Sequence, residues 1–259
     1  MYVAYADIYD LAGQGRFGGE MARWALAWLA ARGERPARAL DLACGTGAAA
    51  LTLAQVGCAV VGVDTSLAML SLAQAKARDA GLAIEWVVGD MRDLGELAAG
   101  GGMLSDQAAR RTPHVAAFDL VTCFADSLNY LIDDGDLARV FGGAAAALRS
   151  GGWLVFDMNS EAEYATWDDR EVVAYDSPDL LVYQVLRYNR RTRRATGKIG
   201  WFVREIDRWW RDAETHVQRA WRENEVREAL TATGFAVVHA ETAPGAQHGR
   251  RWLYVVQNA

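Results

Sequence analysis

The sequence predicts an α/β protein: a doubly wound sheet of seven mostly parallel strands with an antiparallel β-meander inserted into it. Three observations carry that expectation. Short, continuously apolar runs alternate with helical patterns along most of the 259 residues, as βαβ units with buried strands require. The first such run ends in a glycine-rich turn, Gly45-Thr46-Gly47. Over residues 171–221 the rhythm changes to aromatic and β-branched residues interleaved with polar ones, the pattern of half-buried antiparallel strands.

In chain order, a helical pattern over 19–31 carries Met21, Trp24, Leu26, Trp28 and Leu29 as its apolar members. A buried strand over 38–44 runs into glycines, and a helix spans 46–56. An apolar, β-branched run over 59–63 ends at Asp64; a helix rich in Ala, Leu and Met then covers 66–79 and is closed by Gly81. Strands over 83–88, 118–123 and 153–157 continue the alternation, with a helix over 136–148 stopped by Gly151 and Gly152. Residues 98–114, rich in Ala, Gly, Arg and Ser, read as a loop or insertion. The meander divides into three or four strands at turn signals Ser177-Pro178, near Asn189 and near Asp207. A helix over 223–233, ended by Gly234, and strands over 235–240 and 252–257 are the last elements. The expected division is a core of residues 1–160 and 222–259, with 1–32 as a helical cover, and an inserted substrate cover of residues 161–221.

Hydrophobic residues make up 52% and charged residues 23%, a folded-protein balance. The net charge of −6 does not prepare the surface for nucleic acid, although Arg190 to Arg194 is a local basic run. Cys44, Cys58 and Cys123 are too scattered for a disulfide framework, and no Cys/His cluster has metal-ligand spacing, so no metal is expected. The polar start lacks a signal-peptide core, and no uncharged apolar stretch reaches the ~20 residues of a membrane span. The expected location is the cytoplasm.

Chemistry collects at the strand ends. Glycines after a first strand let a ligand lie against bare backbone. Gly45-Thr-Gly-Ala-Ala-Ala50 also fits the permissive dinucleotide pattern, and a plain strand-to-helix turn would carry the same residues. Asp64 ends the second strand, where a carboxylate with several lone-pair sites can accept both hydroxyls of a ribose; a helix cap is the alternative. Asp90, in Gly89-Asp90-Met91, ends the third strand, where it can take the exocyclic amine of adenine while Met91 packs on the ring. A solvated turn would look the same.

In order, Leu40-Asp-Leu-Ala-Cys-Gly-Thr-Gly47, Val61-Gly-Val-Asp64, Gly89-Asp-Met91, Phe118-Asp-Leu-Val-Thr-Cys123 and Gly151-Gly-Trp-Leu-Val-Phe-Asp157 resemble the motifs of the class I S-adenosylmethionine (SAM)-dependent methyltransferases, across residues 39–157. The resemblance implies a Rossmann-like fold, S-adenosyl-L-methionine as cofactor and S-adenosyl-L-homocysteine as its product. It sets Gly45 and Gly47 against the methionine part, Asp64 on the ribose, and Asp90 and Met91 on the adenine, with Asp41, Ala43, Thr65, Met69 and Phe124 completing the cofactor set. Tyr5-Ala-Asp-Ile-Tyr9-Asp followed by Gly13-Gln-Gly-Arg16 resembles the start of small-molecule N-methyltransferases, including the amino-sugar N,N-dimethyltransferases. That resemblance implies a cover in which Tyr9 and Arg16 hold the methionine end, since arginine can bind a carboxylate through two parallel hydrogen bonds. Tyr5 is expected to face the substrate, unless Tyr5 and Tyr9, four apart, form one packed helix face.

The run Phe124-Ala-Asp126-Ser-Leu-Asn129-Tyr130-Leu131 follows the fourth strand, at the mouth of such a site, and gives Asn129 and Tyr130 as catalytic and substrate-facing candidates. The sugar dimethyltransferases have a histidine near Tyr130 that this sequence lacks. Methyl transfer from a sulfonium is a direct displacement, so positioning and desolvation do most of the work. A base is needed only where the acceptor's proton must leave; Tyr130, His216 and Asp157 are the candidates, each open to a structural role. Trp201, Phe202, Arg204, Trp209, Trp210 and Arg219 of the meander suit an aromatic, amine-bearing or acidic small molecule. The same residues suit a sheet packed on the core, or on the partner of a homodimer.

The expected activity is SAM-dependent methylation of a nitrogen or oxygen atom of a small molecule. The alternatives are a nicotinamide-dependent oxidoreductase and a SAM-binding module without turnover. A nucleic-acid methyltransferase is disfavoured by the acidic charge and by Asp157-Met-Asn-Ser160, which lacks the paired prolines of adenine-N6 enzymes.

Overall fold

Eleven strands in two sheets organise the computed structural model, which describes residues 4–94 and 118–259. The segment 98–114, expected as a loop, lies outside the described residues. In chain order the core elements are α1 (Ala6–Tyr9), α2 (Arg16–Ala30), β1 (Arg38–Leu42), α3 (Ala48–Gln55), β2 (Ala59–Asp64), α4 (Leu67–Asp79), β3 (Ile84–Val88) and β4 (Phe118–Cys123). They continue with α5 (Asp136–Ala147), β5 (Leu148–Asn159) and α6 (Glu161–Tyr164). The meander is β6 (Arg170–Asp176), β7 (Leu180–Asn189), β8 (Arg194–Glu205) and β9 (Arg208–Arg219), and α7 (Glu223–Ala232), β10 (Phe235–Thr242) and β11 (Arg251–Asn258) return to the core.

The large sheet has the order β10-β11-β5-β4-β1-β2-β3. Pairs β4–β5, β1–β4, β1–β2 and β2–β3 are parallel, while β11 runs antiparallel to both β5 and β10. Both faces are buried, so alternate residues of one strand enter different cores. Leu40, Leu42, Leu154 and Phe156 pack with α5 and α7 on one face, and Ala39, Trp153 and Val155 pack with α2, α3 and α4 on the other. The Phe156 and Tyr254 rings stack at 4.9 Å in the first of these. Fully burying each such side chain is worth about 1.5–3 kcal/mol, which is why the strand interiors read as unbroken apolar runs.

Helix α4 shows how local sequence sets a boundary. Ser66 is its N-cap, accepting the Met69 N–H on its hydroxyl, and Lys76 and Arg78 stand in the last turn, facing the negative end of the helix dipole. The structure extends the fifth strand at both ends: β5 begins at Leu148, passes through Gly151 at φ +72°, and ends at Asn159.

The second sheet is the antiparallel meander β6-β7-β8-β9, with turns at the three expected places. It is joined to the N-terminal helix by a small apolar cluster in which Tyr5 and Ile8 meet Leu180, Val182, Ile199 and Trp201. Among the described residues no helix is long and apolar enough to cross a membrane.

Candidate active site

In the large sheet the chain order reverses between β4 and β1, and at such a switch point the two flanking loops part and leave a crevice outside the strand ends. A cavity occupies that position, floored by the loops after β1 to β4 and walled by Tyr9 and the start of α2 at Gly15 and Gly18. Gly45, at φ +54°, has nothing within 4 Å of where a Cβ would stand, so its backbone is open to the cavity. Gly47 does not line the cavity. It starts α3 at φ +82°, and a Cβ there would lie 2.8 Å from the Trp86 ring, so its role is to let β3 pack beneath the loop.

Three carboxylates stand at the ends of three neighbouring strands and all line the cavity. Asp41 is buried; its oxygens accept the Thr122 hydroxyl at 2.7 Å and the Ala50 N–H at 3.1 Å. Burial pushes its carboxyl up to about 7, with Thr122 and Ala50 opposing the change. Asp64 accepts the Gly45 N–H and the Ser66 N–H, both at 2.8 Å, and so fixes the glycine loop. Its pKa is also raised by burial. Asp90 is gripped by its neighbour Arg92, through Nε at 3.0 Å and Nη2 at 2.7 Å, and the hydrogen bonds from Arg92 hold it below the usual carboxylate range.

Ala43, Thr65, Met69, Met91, Phe124 and Tyr130 line the same cavity. Tyr9 lines it too, its phenol pKa raised by burial. Arg16 does not: it is the first residue of α2 and is exposed. The sequence reading missed Asp10, which accepts the Thr46 hydroxyl at 2.8 Å and pairs with Lys76 at 2.7 Å, pinning the N-terminal cover to the glycine loop and to α4. It also missed Thr46 itself and Arg92. The Gly-Thr-Gly spacing carried a signal for Thr46; nothing local marked Asp10 as its partner.

Several expected site residues prove to be structural. Asn129 is fully buried, donating to the Asn159 and Arg219 carbonyls at 3.1 and 2.9 Å and accepting the Asn159 N–H at 2.9 Å. Its amide is spent stapling the turn after β4 to β5 and β9. Asp157 is equally buried and accepts the Ala125 and Asp126 N–H groups at 2.8 and 3.0 Å and Arg251 Nε at 2.6 Å. It anchors a loop in which Ala125 and Asp126 both have positive φ, a strained arrangement that needs such support, and it is not placed to act as a base. Tyr5 and Trp201 pack on each other, ring centroids 5.0 Å apart, between cover and meander. Arg204 pairs with Asp179 at 3.0 Å and Trp209 is half exposed; neither lines the cavity. Arg219 lies over the Trp221 ring and pairs with Asp134 and Glu225, holding β9 to the core. His216 is buried on β9, with Nδ1 3.3 Å from the Tyr130 hydroxyl.

An open sheet with a carboxylate-lined cavity at its switch point, roofed by an N-terminal cover, defines an α/β protein with a ligand site at that edge. Residues 39–152 match the family described as "Methyltransferase domain". A protein of Geobacillus sp. (strain WCH70), named "Putative methyltransferase", is 30% identical over 203 residues, 78% of this chain and 74% of its own. Among solved structures, a SAM-dependent methyltransferase from Clostridium acetobutylicum aligns over 99% of this chain and 98% of its own, with TM-score 0.81 and 24% identity. SAM-bound CalS10, an amino pentose methyltransferase from Micromonospora echinaspora, aligns over 97% of each chain with TM-score 0.73 and 24% identity. The chain belongs to the methyltransferases.

Proposed function

We propose that this protein transfers a methyl group from SAM to a nitrogen or oxygen atom of a small molecule, with the switch-point cavity as its cofactor site. The charge of that cavity carries the reading. Asp41, Asp64 and Asp90 line it, and the one arginine among its described lining residues, Arg92, is already paired with Asp90. A cofactor bearing a sulfonium and an ammonium gains from that field, whereas the diphosphate of a nicotinamide dinucleotide opposes it.

The residues fit the group. Gly45 leaves bare backbone on the cavity side. Asp41 is a buried carboxylate whose hydrogen-bond partners, Thr122 and Ala50, are both neutral, so a ligand ammonium would favour its charged form. Asp64 retains lone-pair capacity beyond the backbone N–H groups of Gly45, Thr65 and Ser66 and would accept the ribose hydroxyls. Asp90 and Met91 would receive the adenine, and Tyr9 would close over the methionine end. When bound, SAM supplies an electrophilic methyl carbon. The chain's part is to hold the acceptor in line beside Tyr130, exclude water beneath the N-terminal cover, and accept a proton where the acceptor carries one.

The likeness to an amino pentose methyltransferase supports an amine-bearing acceptor. The test is incubation of the purified protein with SAM and a panel of small amines and alcohols, followed by mass spectrometry. One added methylene on a panel compound supports the reading; S-adenosylhomocysteine formed only on a protein or nucleic acid acceptor overturns it. A homodimer through the meander, whose β8–β9 tip exposes Ile206, Trp209 and Trp210, is tested by light scattering.

A further inference from the structure

Strand β9 is built the wrong way round for packing alone. A half-buried strand normally turns its apolar residues inward, yet here Val217 and Thr215 face solvent while Glu214, His216 and Gln218 face the core. Polar groups on an inner face cost free energy unless each finds partners. Gln218 has them: it donates to Asp126 at 2.5 Å and accepts the Tyr164 hydroxyl at 3.1 Å. Glu214 divides its carboxylate. Oε1 accepts the backbone N–H groups of Ala4 and Tyr5 at 2.8 and 3.1 Å, while Oε2 lies 3.6 Å from His216 Nε2. On the other side of the ring, His216 Nδ1 lies 3.3 Å from the hydroxyl of Tyr130, which lines the cavity.

We propose that Tyr130, His216 and Glu214 form a proton relay for the acceptor, and that Glu214 is a positioning residue which ties the N-terminal cover to that relay. The proposal rests on the methyl-transfer reading above. As the acceptor's lone pair forms its bond to the methyl carbon, the carbon–sulfur bond breaks with its electron pair going to sulfur, and the N–H or O–H proton of an acceptor that gives one up is released. It passes to the Tyr130 oxygen while the Tyr130 hydroxyl proton passes to His216 Nδ1, so tyrosine ends neutral and the imidazole ends as a cation facing Glu214. The direction follows from the charge beside the ring: a carboxylate 3.6 Å from Nε2 favours the proton there, which leaves Nδ1 as the acceptor of the Tyr130 O–H. Burial lowers the His216 pKa, so the ring is neutral and able to accept a proton at pH 7. Tyr130, from the turn after β4, and Glu214, from its own strand, both face the ring.

Substitution of Glu214 by glutamine makes a specific spectroscopic prediction. The two backbone N–H donors hold the amide oxygen on their side, so the amide NH₂ faces His216 Nε2, and the imidazole must shift its proton to Nδ1. Histidine ¹⁵N chemical shifts separate the two tautomers, and the chain has only 4 histidines to assign. The expected result is the Nε2–H form in the wild type, the Nδ1–H form in Glu214→Gln, and a His216 pKa below that of the wild type in the variant, because the carboxylate that favours the imidazolium is gone. Glu214→Asp should be intermediate. Tyr130→Phe should keep the Nε2–H form and alter the Nδ1 shift, which gives a second reading if Glu214→Gln does not fold. An unchanged tautomer and pKa in Glu214→Gln, or an unchanged Nδ1 shift in Tyr130→Phe, overturns the relay. Calorimetric binding of SAM to the same samples reads the cofactor site separately, so a failed relay and a failed methyltransferase reading are distinguishable.

Discussion

Asp41 is the residue at which stability and cofactor binding should pull in opposite directions. Its carboxyl is buried against the Thr122 hydroxyl and the Ala50 N–H, and burial raises its pKa from 3.8 to about 7. The native state therefore holds a proton over a pH range in which the unfolded chain has released it. Where the native state binds more protons, stability falls as pH rises, so this group costs stability progressively from about pH 4 to pH 7 and remains costly above. A tenfold change in proton affinity corresponds to about 1.4 kcal/mol, so the stretch from pH 5 to pH 7 is worth roughly 3 kcal/mol. Asp41→Asn removes the titration while keeping the shape, since the amide can donate to a rotated Thr122 hydroxyl and still accept the Ala50 N–H. Urea denaturation of the cofactor-free protein should show the variant gaining roughly 3 kcal/mol relative to wild type between pH 5 and pH 8. The same variant should bind SAM at least tenfold more weakly, having lost the charged partner of the ammonium. A stability difference that stays constant across that pH range would refute the account of Asp41.

Other consequences follow from the same geometry. Asp64→Asn should weaken SAM by about 10- to 100-fold, the value of a hydrogen bond to a charged group, as measured by calorimetry at constant pH. Gly47→Ala should destabilise by about 2 kcal/mol or more through its positive φ and its approach to Trp86, with Trp86→Leu recovering the packing part in a double mutant. Asp157→Asn should cost on the order of 3 kcal/mol in urea unfolding, because it weakens the hold on Arg251 and on two backbone N–H groups; a loss of methyl transfer with unchanged stability would restore it as a base.

The core strands were legible because burial on both faces demands continuous apolar runs, and β4 and α4 sit within a residue of their expected bounds. The acids at the strand ends were legible for a related reason: a carboxylate closing an apolar strand, as in Val61-Gly-Val-Asp64, must find polar partners there, and Asp64 finds the Gly45 and Ser66 N–H groups. Asn129 and Asp157 were misread because sequence shows a polar residue at a strand edge but not its partners, and theirs come from Asn159, Arg219 and Arg251, far along the chain. Arg16 was placed at the cofactor by its motif, whereas the helix beginning at that residue turns it outward. The inward polar face of β9 was present in the alternation Glu214-Thr-His216-Val-Gln218, but alternation alone does not say which face meets the core.

The central claim is that the acidic switch-point cavity takes a cationic adenosyl cofactor. Isothermal titration calorimetry of the purified protein with SAM, S-adenosylhomocysteine, NAD and NADP tests it most directly. The account predicts micromolar or tighter binding of SAM and S-adenosylhomocysteine, weakened about 10- to 100-fold in Asp64→Asn, and no heat from either nicotinamide dinucleotide. Binding of NAD or NADP in preference to SAM, or SAM binding indifferent to Asp41 and Asp64, would contradict it.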